Sequence, residues 1–272
     1  MKNLLILIFV LVTGKASAQG FEGTMKWSMK MEITDPAKKV QFENAQKQMS
    51  DPANQAKMKE MQERMKDPQF KAMMESNPQI KAQLEKAMGA LQTGDLNAMI
   101  PKGITIKVKN KNVLSKIEGG MFSGETLYLK DKDKAYLIDR EKKTYSLVSQ
   151  PEKTEKKEDL TAKVTKTKET ANVLNYTCTK YIVEMQSNGQ TLVQNVWATS
   201  EIKDFDMSGL AKQRVAQQSI FHEKIDGVPL KMDMKMQDYH ISMEVTEIKK
   251  EPLPASDFTI PAGFTETASA FK

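Results

Sequence analysis

The residues that could carry chemistry are few and scattered. His222 and His240 are the only histidines, and neither has another histidine, a cysteine or a carboxylate at the spacing of a metal site. Cys178 is the only cysteine and therefore has no internal disulfide partner; its apolar strand context predicts a buried thiol. There is no nucleophile elbow, metalloprotease helix motif or phosphate-binding glycine loop. We therefore expect a non-catalytic protein without a metal or cofactor.

Methionine is the residue type that stands out, with 19 in the chain. It is unbranched and polarizable, so it fits irregular or changing apolar shapes. Met29-Lys30-Met31 and the segment 232–236 have a Met-x-Met spacing that a Cu(I) site could use. Because side chains alternate along a strand, one apolar strand face explains this spacing more simply. The pattern therefore indicates apolar surface rather than metal ligation.

Strict alternation predicts the strands that carry these methionines. From Phe21 to Ile33 the apolar residues share one face and the charged residues the other, as in a half-buried strand. Segments 228–237 and 239–249 alternate in the same way near the end of the chain. If these strands approach the first strand in a curved sheet, their faces form one methionine-lined wall.

Several short strands lie between them. Alternating segments between 104 and 149 predict a meander. Asn188-Gly189 predicts a hairpin that joins 176–187 to 190–199. Asp226-Gly227 predicts a second hairpin, in which 219–225 pairs with 228–237. Residues 201–217 are polar and partly helical in pattern.

From Asp35 to Met99 the pattern is helical. Asp or Asn caps a helix and Pro suits its first position, so each such pair predicts a helix start. The pairs are Asp35-Pro36, Asp51-Pro52, Asp67-Pro68 and Asn77-Pro78. Apolar residues, many of them Met, recur on one side of the later helices. We expect these Met-rich helices, inserted after the first strand, to cover the sheet.

The N-terminus predicts export. Lys2, the apolar run Leu4 to Val12 and Ala16-Ser17-Ala18 form a signal peptide over residues 1–18, with cleavage between Ala18 and Gln19. No later stretch has transmembrane length, so we expect a periplasmic or secreted protein that does not span a membrane. The net charge of +6 comes almost entirely from lysine. Since nucleic-acid recognition favours arginine, no nucleic-acid partner is expected.

These elements predict a mainly β protein with a helical insertion (α+β), in which Met-rich helices cover a strongly curved antiparallel sheet or incomplete barrel. Residues 19–272 would form one domain, with the helical insertion at 35–99. The methionine faces predict either a ligand cavity or an ordinary filled core, and the sequence leaves both open. The candidate ligand-binding residues are Met25, Trp27, Met29, Met31, Met58, Met61, Met65, Met73, Met74, Met232, Met234 and Met236.

Five segments of the chain resemble the DUF4412 family of exported Bacteroidetes proteins. They are residues 21–24 (FEGT), 136–145 (YLIDREKKTY), 176–199 (YTCTKY to VWAT), 227–232 (GVPLKM) and 258–264 (FTIPAGF). The family is similar to the LolA/LolB-type lipoprotein carriers. That resemblance implies a curved sheet closed by helices over an apolar cavity.

The sequence predicts a non-catalytic periplasmic carrier or sensor for a lipid-like or lipidated ligand. Its partner would be an apolar small molecule, an acyl chain or a lipoprotein, with outer-membrane or envelope proteins as possible further partners. The alternative is a chaperone-like module whose Met-rich helices bind apolar segments of exported proteins. Residues 67–88 resemble the Asp-Pro helical modules of co-chaperones, which is what supports that alternative.

Overall fold

The computed structural model describes residues 20–49, 51–65, 67, 100–120, 124–148, 162–187, 190–203, 205–206, 208–213 and 224–268. The predicted signal peptide lies outside these residues. All the described strands belong to one open, curved, 12-stranded sheet. The strands are β1 (Gly23–Ile33), β2 (Gly103–Lys109), β3 (Asn112–Glu118), β4 (Gly124–Leu129), β5 (Lys134–Asp139), β6 (Thr144–Leu147), β7 (Ala162–Val173), β8 (Tyr176–Ser187), β9 (Gln190–Thr199), β10 (Val228–Lys235), β11 (Tyr239–Lys250) and β12 (Thr265–Thr267). Their order in the sheet is β12-β6-β5-β4-β3-β2-β1-β11-β10-β9-β8-β7.

Two helices follow β1, and both begin at the predicted Asp-Pro pairs. They are α1 (Pro36–Met49) and α2 (Pro52–Met65). The Asp35 carboxylate accepts a hydrogen bond from the Lys38 backbone N–H at 2.8 Å, and Asp51 accepts one from Ala53 at 2.8 Å. These bonds satisfy backbone donors that a helix start leaves unpaired. The helices predicted after Pro68 and Pro78 lie outside the described residues.

The sheet is antiparallel except at one edge, where β12 runs parallel to β6. The prediction of a purely antiparallel sheet is therefore wrong in this detail. The C-terminal tail after β11 crosses one face of the sheet, where Leu253 and Phe258 are buried, before it pairs with β6. No hairpin joins β6 to β12. A hairpin enforces antiparallel pairing, but a longer connection leaves the direction free.

The hairpin predicted across Asp226-Gly227 stays a prediction, because residues 219–223 of its first strand lie outside the described residues. Its two described residues, Lys224 and Ile225, are not in a strand. Gly227 has a φ of +96°, and a Cβ there would lie 2.1 Å from the Thr199 carbonyl oxygen. Glycine is needed because it alone combines this backbone conformation with so close an approach. The hairpin predicted from Asn188-Gly189 is confirmed by the pairing of Ser187 with Gln190.

A β-bulge lets β11 keep its apolar side chains on one face. Lys26 pairs with Glu247 but Trp27 pairs with Val245, which leaves Thr246 as the extra residue. Val245 and Ile248 are an odd number of residues apart, so regular alternation would place them on opposite faces. The bulge resets that alternation. Both side chains therefore contribute to the same core, opposite Trp27 and Met25.

Two apolar clusters lie on opposite faces of the sheet. The larger one defines what we call the inner face and includes residues from β1 to β5 and from β7 to β11. The smaller one lies on the outer face of β3 to β6 beneath the C-terminal tail. Within β3, Val113 belongs to the inner cluster and Leu114 to the outer one. None of the described helices is long and apolar enough to cross a membrane.

Candidate functional site

The first and late strands meet, which is the condition for the predicted methionine-lined wall. β11 lies hydrogen-bonded between β1 and β10, and the register places Met29 opposite Met243, and Met243 opposite Met232. The next row toward the end of β1 contains Met31, Ile241 and Met234. Directly paired residues of antiparallel strands share a face and lie in side-chain contact range. We call Met29, Met31, Met232, Met234 and Met243 the methionine strip.

Burial falls along the inner face toward one end of the sheet. Met25 is 1% exposed, and Trp27 and Met232 are each 8% exposed. Met29, Met31, Met234 and Met243 are half-buried. Beyond β10, Met236 is 46% exposed. The predicted residues on the sheet therefore form a graded surface, from a closed interior to an accessible end.

The predicted helical half of the site is only partly described. Met58, Met61 and Met65 lie in α2, but their side chains are outside the described part of the structure. Met73 and Met74 lie outside the described residues. These five positions stay a prediction.

The start of α1 is fixed beside the methionine strip. The Thr34 N–H donates to the Asp238 carbonyl oxygen at 2.8 Å, and the Lys38 ammonium pairs with the Asp238 carboxylate. The hydrogen bond between the Lys38 ammonium and the Asp238 carboxylate raises the pKa of Lys38. Asp238 lies in the turn between β10 and β11. The first helix therefore starts at the accessible end of the strip.

At the other end of the inner face, the chain itself covers the sheet. After β9, the described residues of the segment 200–213, which we call the crossing segment, reach the inner face of β3 and β4. In the sheet order these strands lie beyond β10, β11, β1 and β2. Phe205 packs edge-to-face on Phe21 at 4.9 Å between ring centroids, and Leu210 is 2% exposed. The segment includes the short helix α3 (Ser208–Lys212). Sequence reasoning missed this cover because its apolar residues are isolated among polar ones.

Gln213 holds the crossing segment to the sheet through three hydrogen bonds. The Gln213 amide donates to the carbonyl oxygens of Val113 at 2.7 Å and Thr126 at 3.1 Å. Its own oxygen accepts a hydrogen bond from the Ser115 hydroxyl at 2.5 Å. Gln213 is 4% exposed, so these bonds satisfy polar groups that water does not reach. This end of the inner face is therefore closed by specific packing.

Two ionisable groups of the core are held neutral. Burial, together with a 2.8 Å hydrogen bond to Asp133, raises the pKa of Tyr128 to about 12. Burial raises the pKa of Cys178 to about 11. The Cys178 thiol is fully buried, which confirms that prediction. A thiol in this state is a poor nucleophile.

The outer face opposite the strip is polar. Lys231 pairs with Glu244 and Lys26 with Glu247, each at 3.0 Å. Trp197 lies on this face with Lys231 and Lys180 near its ring, at 5.7 and 5.8 Å from the centroid. Among the described residues, no three His, Cys, Asp or Glu side chains are grouped as a metal site would need.

Comparison with known proteins gives a family but no activity. No curated protein matches the chain. One similar solved structure is an uncharacterized conserved protein from Thermus thermophilus, with 9% identity, a TM-score of 0.36, and coverage of 61% of this chain and 81% of that one. Another is LprF from Mycobacterium bovis, with 10% identity, a TM-score of 0.30, and coverage of 62% and 85%. Both TM-scores are too low to support an inference about fold or function.

The family model described as "Domain of unknown function (DUF4412)" matches residues 99–264. The match runs from β2 to the end of the tail that covers the outer face, and so includes β10 and β11 of the methionine strip. It starts after β1 and the two helices. Since it covers more than half of the sequence, this chain belongs to the DUF4412 family.

Proposed function

We propose that this protein is a non-catalytic, exported carrier or sensor that binds an acyl chain or similar lipid-like ligand on the methionine strip. The observation that carries the proposal is the register of β1, β11 and β10, which brings methionines from distant parts of the sequence into two adjacent rows. All residues of the two rows except the buried Met232 are half-buried, so they offer apolar surface that the described residues leave partly open.

The chemistry of the strip suits such a ligand. Burying one methylene contributes about 0.8 kcal/mol, so a sixteen-carbon chain offers roughly 10 kcal/mol before ordering costs. Useful affinity then needs few polar contacts. Methionine can adjust its rotamers to chains of different shape, whereas branched aliphatic residues hold one shape. These properties favour a carrier for a class of molecules.

We further propose that the helices after β1 cover the bound ligand. In support of this, α1 starts beside the accessible end of the strip, where Lys38 pairs with Asp238. The predicted LolA/LolB-like cavity, the periplasmic location and the lipoprotein partner belong to the same proposal.

The first test is native mass spectrometry of protein purified without detergent, together with uptake of the fluorescent apolar probe N-phenylnaphthylamine. We expect a bound lipid or clear probe uptake. Met31→Glu, which places a charge on the strip, should reduce probe affinity at least about tenfold, since burying the charge costs more than one methionine contact. Lys30→Gln is the matched control, because it makes the same change in net charge at the neighbouring, exposed position.

A protein that carries no lipid and takes up no probe contradicts the proposal. Equal effects of Met31→Glu and Lys30→Gln also contradict it, because the strip would then not be the binding surface.

The second candidate function is the chaperone-like module. It is favoured by the exposure of α1, whose described side chains are all exposed or half-buried, with Val40 at 54%. Replacing residues 36–99 with a short turn separates the two functions. If the helices bind apolar segments, capture of an unfolded apolar peptide disappears and Met31→Glu has no effect. If the strip binds ligand, probe uptake weakens but persists and stays sensitive to Met31→Glu.

A further inference from the structure

We propose that the Trp27 indole N–H donates a hydrogen bond to a neutral carbonyl oxygen of the ligand, so that the strip selects acyl esters over both hydrocarbons and free fatty acids. This inference rests on the proposed function and names the ligand class for the same site. It assigns Trp27 a role as a polar recognition group and not only as apolar surface.

The observation behind it is an unpaired donor. Trp27 is 8% exposed, and its Nε1 is buried with no hydrogen-bond partner among the described residues. Buried indole N–H groups usually find a partner, and an unmade buried hydrogen bond destabilises the protein. A ligand that brings an acceptor to this atom therefore gains a contact that the protein alone does not make.

The position of Trp27 fits this role. It lies two residues before Met29 on β1, so the two side chains share the inner face and Trp27 forms the next row inward. In its row it is paired with Ile104 on β2 and Val245 on β11. A ligand lying along the strip toward Met236 would place its inner end against the Trp27 row, and the hydrogen bond forms only if the buried Nε1 becomes accessible as the strip methionines change rotamer.

We infer a neutral acceptor because the charged groups nearest Trp27 among the described residues lie on the other face of the sheet. Trp27 has apolar neighbours in its row. By contrast, Lys26 and Lys231 lie on the outer face, where each already pairs with a glutamate at 3.0 Å. A carboxylate buried without a cation is strongly disfavoured. An ester carbonyl accepts the same hydrogen bond without that cost.

The chain offers a matched control in its second tryptophan. Trp197 lies on the outer face between Lys180 and Lys231 and is half-buried. Trp27→Phe and Trp197→Phe remove the same indole N–H from opposite faces of one sheet. A binding change specific to Trp27→Phe can therefore be assigned to the inner face.

The experiment measures displacement of N-phenylnaphthylamine by methyl laurate, by laurate, and by tetradecane, a hydrocarbon of the same chain length as the ester. Wild type should bind methyl laurate most tightly. Trp27→Phe should weaken methyl laurate binding about tenfold, as expected for one buried hydrogen bond, and leave tetradecane binding unchanged. Trp197→Phe should change neither.

A spectroscopic readout keeps the test decisive if Trp27→Phe is poorly folded. The chain has two tryptophans, so Trp197→Phe leaves the Trp27 indole N–H as the only indole signal in a proton–nitrogen correlation spectrum. Methyl laurate should move that signal downfield, as hydrogen bonding does, and tetradecane should not.

Equal loss of ester and hydrocarbon binding in Trp27→Phe, tighter binding of laurate than of its ester, or an unmoved indole signal overturns the inference while the carrier function stands. If wild type binds neither the probe nor any of the three competitors, the carrier function fails and the inference fails with it.

Discussion

The two ends of the inner face are built from different residues. Near the start of β1, the crossing segment closes the sheet with Phe205, Leu210 and the three hydrogen bonds of Gln213. Near the end of β1, four of the five methionines of the strip are half-buried, and the strip lies beside the start of α1. The first end is a fixed fit between parts of one chain. The second end has flexible side chains that remain partly accessible.

This difference predicts that residues at the closed end determine the stability of the fold and that residues of the strip determine ligand binding. At the closed end, Gly209 is needed because a Cβ there would lie 2.6 Å from Val113 and 2.8 Å from Tyr128. Closely packed interiors respond to the loss or gain of a single methyl group. Methionine surfaces tolerate substitution because their side chains adjust. We therefore expect substitutions at the closed end to unfold the protein and those on the strip to change ligand binding.

The largest expected effect is that of Leu210→Ala in the crossing segment. Leu210 is 2% exposed, so its truncation leaves a cavity that should lower the free energy of unfolding by about 2–5 kcal/mol. Met234→Ala on the half-buried strip should cost clearly less. Chemical denaturation of both variants measures the contrast, and equal losses would show that the two ends are packed alike.

The next largest loss of stability is expected from the hydrogen bonds of Gln213, which hold the crossing segment to the sheet. Gln213→Leu keeps the side-chain size but leaves the Ser115 hydroxyl and two backbone carbonyls without their partner. The free energy of unfolding should fall by about 1–3 kcal/mol. Ser115→Ala should be less harmful in the Gln213→Leu background than in wild type, because the shared hydrogen bond is already lost. A double-mutant cycle tests this, and additive effects would mean that the two residues act independently.

The same contrast explains what could be predicted from the sequence. Local signals predicted the alternation of β1, the Asp35 and Asp51 helix caps and the hairpin between β8 and β9 correctly, because each depends on neighbouring residues. The buried state of Cys178 followed from its strand context. The alternation also predicted an apolar, Met-rich face on β1 and on the late strands; that these faces would join was predicted only on the condition that the strands approach each other.

The remaining features depend on contacts between distant residues. The crossing segment is mostly polar, and single residues such as Ile202 and Leu210 contribute to the core one at a time, so no continuous apolar face marks it in the sequence. The bulge at Thr246 and the parallel pairing of β12 follow from how strands meet, and no local pattern encodes either. That the Trp27 N–H has no partner among the residues that the structure describes is visible only once its neighbours are known.

A smaller effect on the free energy of unfolding should appear at high pH, through Tyr128 at the closed end. In the unfolded chain Tyr128 ionises near 10.0, whereas in the folded protein its pKa is about 12. Above pH 10.0 the unfolded chain therefore releases its proton first, and stability falls as the pH rises toward about 12.

Denaturation midpoints measured across this pH range test the effect. Tyr128→Phe should be less stable at neutral pH, because it lacks the hydrogen bond to Asp133, but its stability should fall less steeply with pH. Parallel pH curves for the two proteins would show that Tyr128 does not contribute to the loss.

The smallest perturbation is oxidation of methionine by dilute peroxide, which adds one oxygen atom and makes the side chain polar. Its rate should follow exposure: Met236 at 46% first, then the half-buried strip, and last Met25 at 1% and Met185 at 2%. Peptide mass spectrometry over time gives each rate.

Methyl laurate should slow the oxidation of Met29, Met31 and Met234 selectively, since a ligand on the strip shields those sulfurs. Equal protection of Met236 would show that the shielding is not specific to the strip. Fast oxidation of Met25 would mean that the whole inner face opens, which would remove the distinction between its two ends.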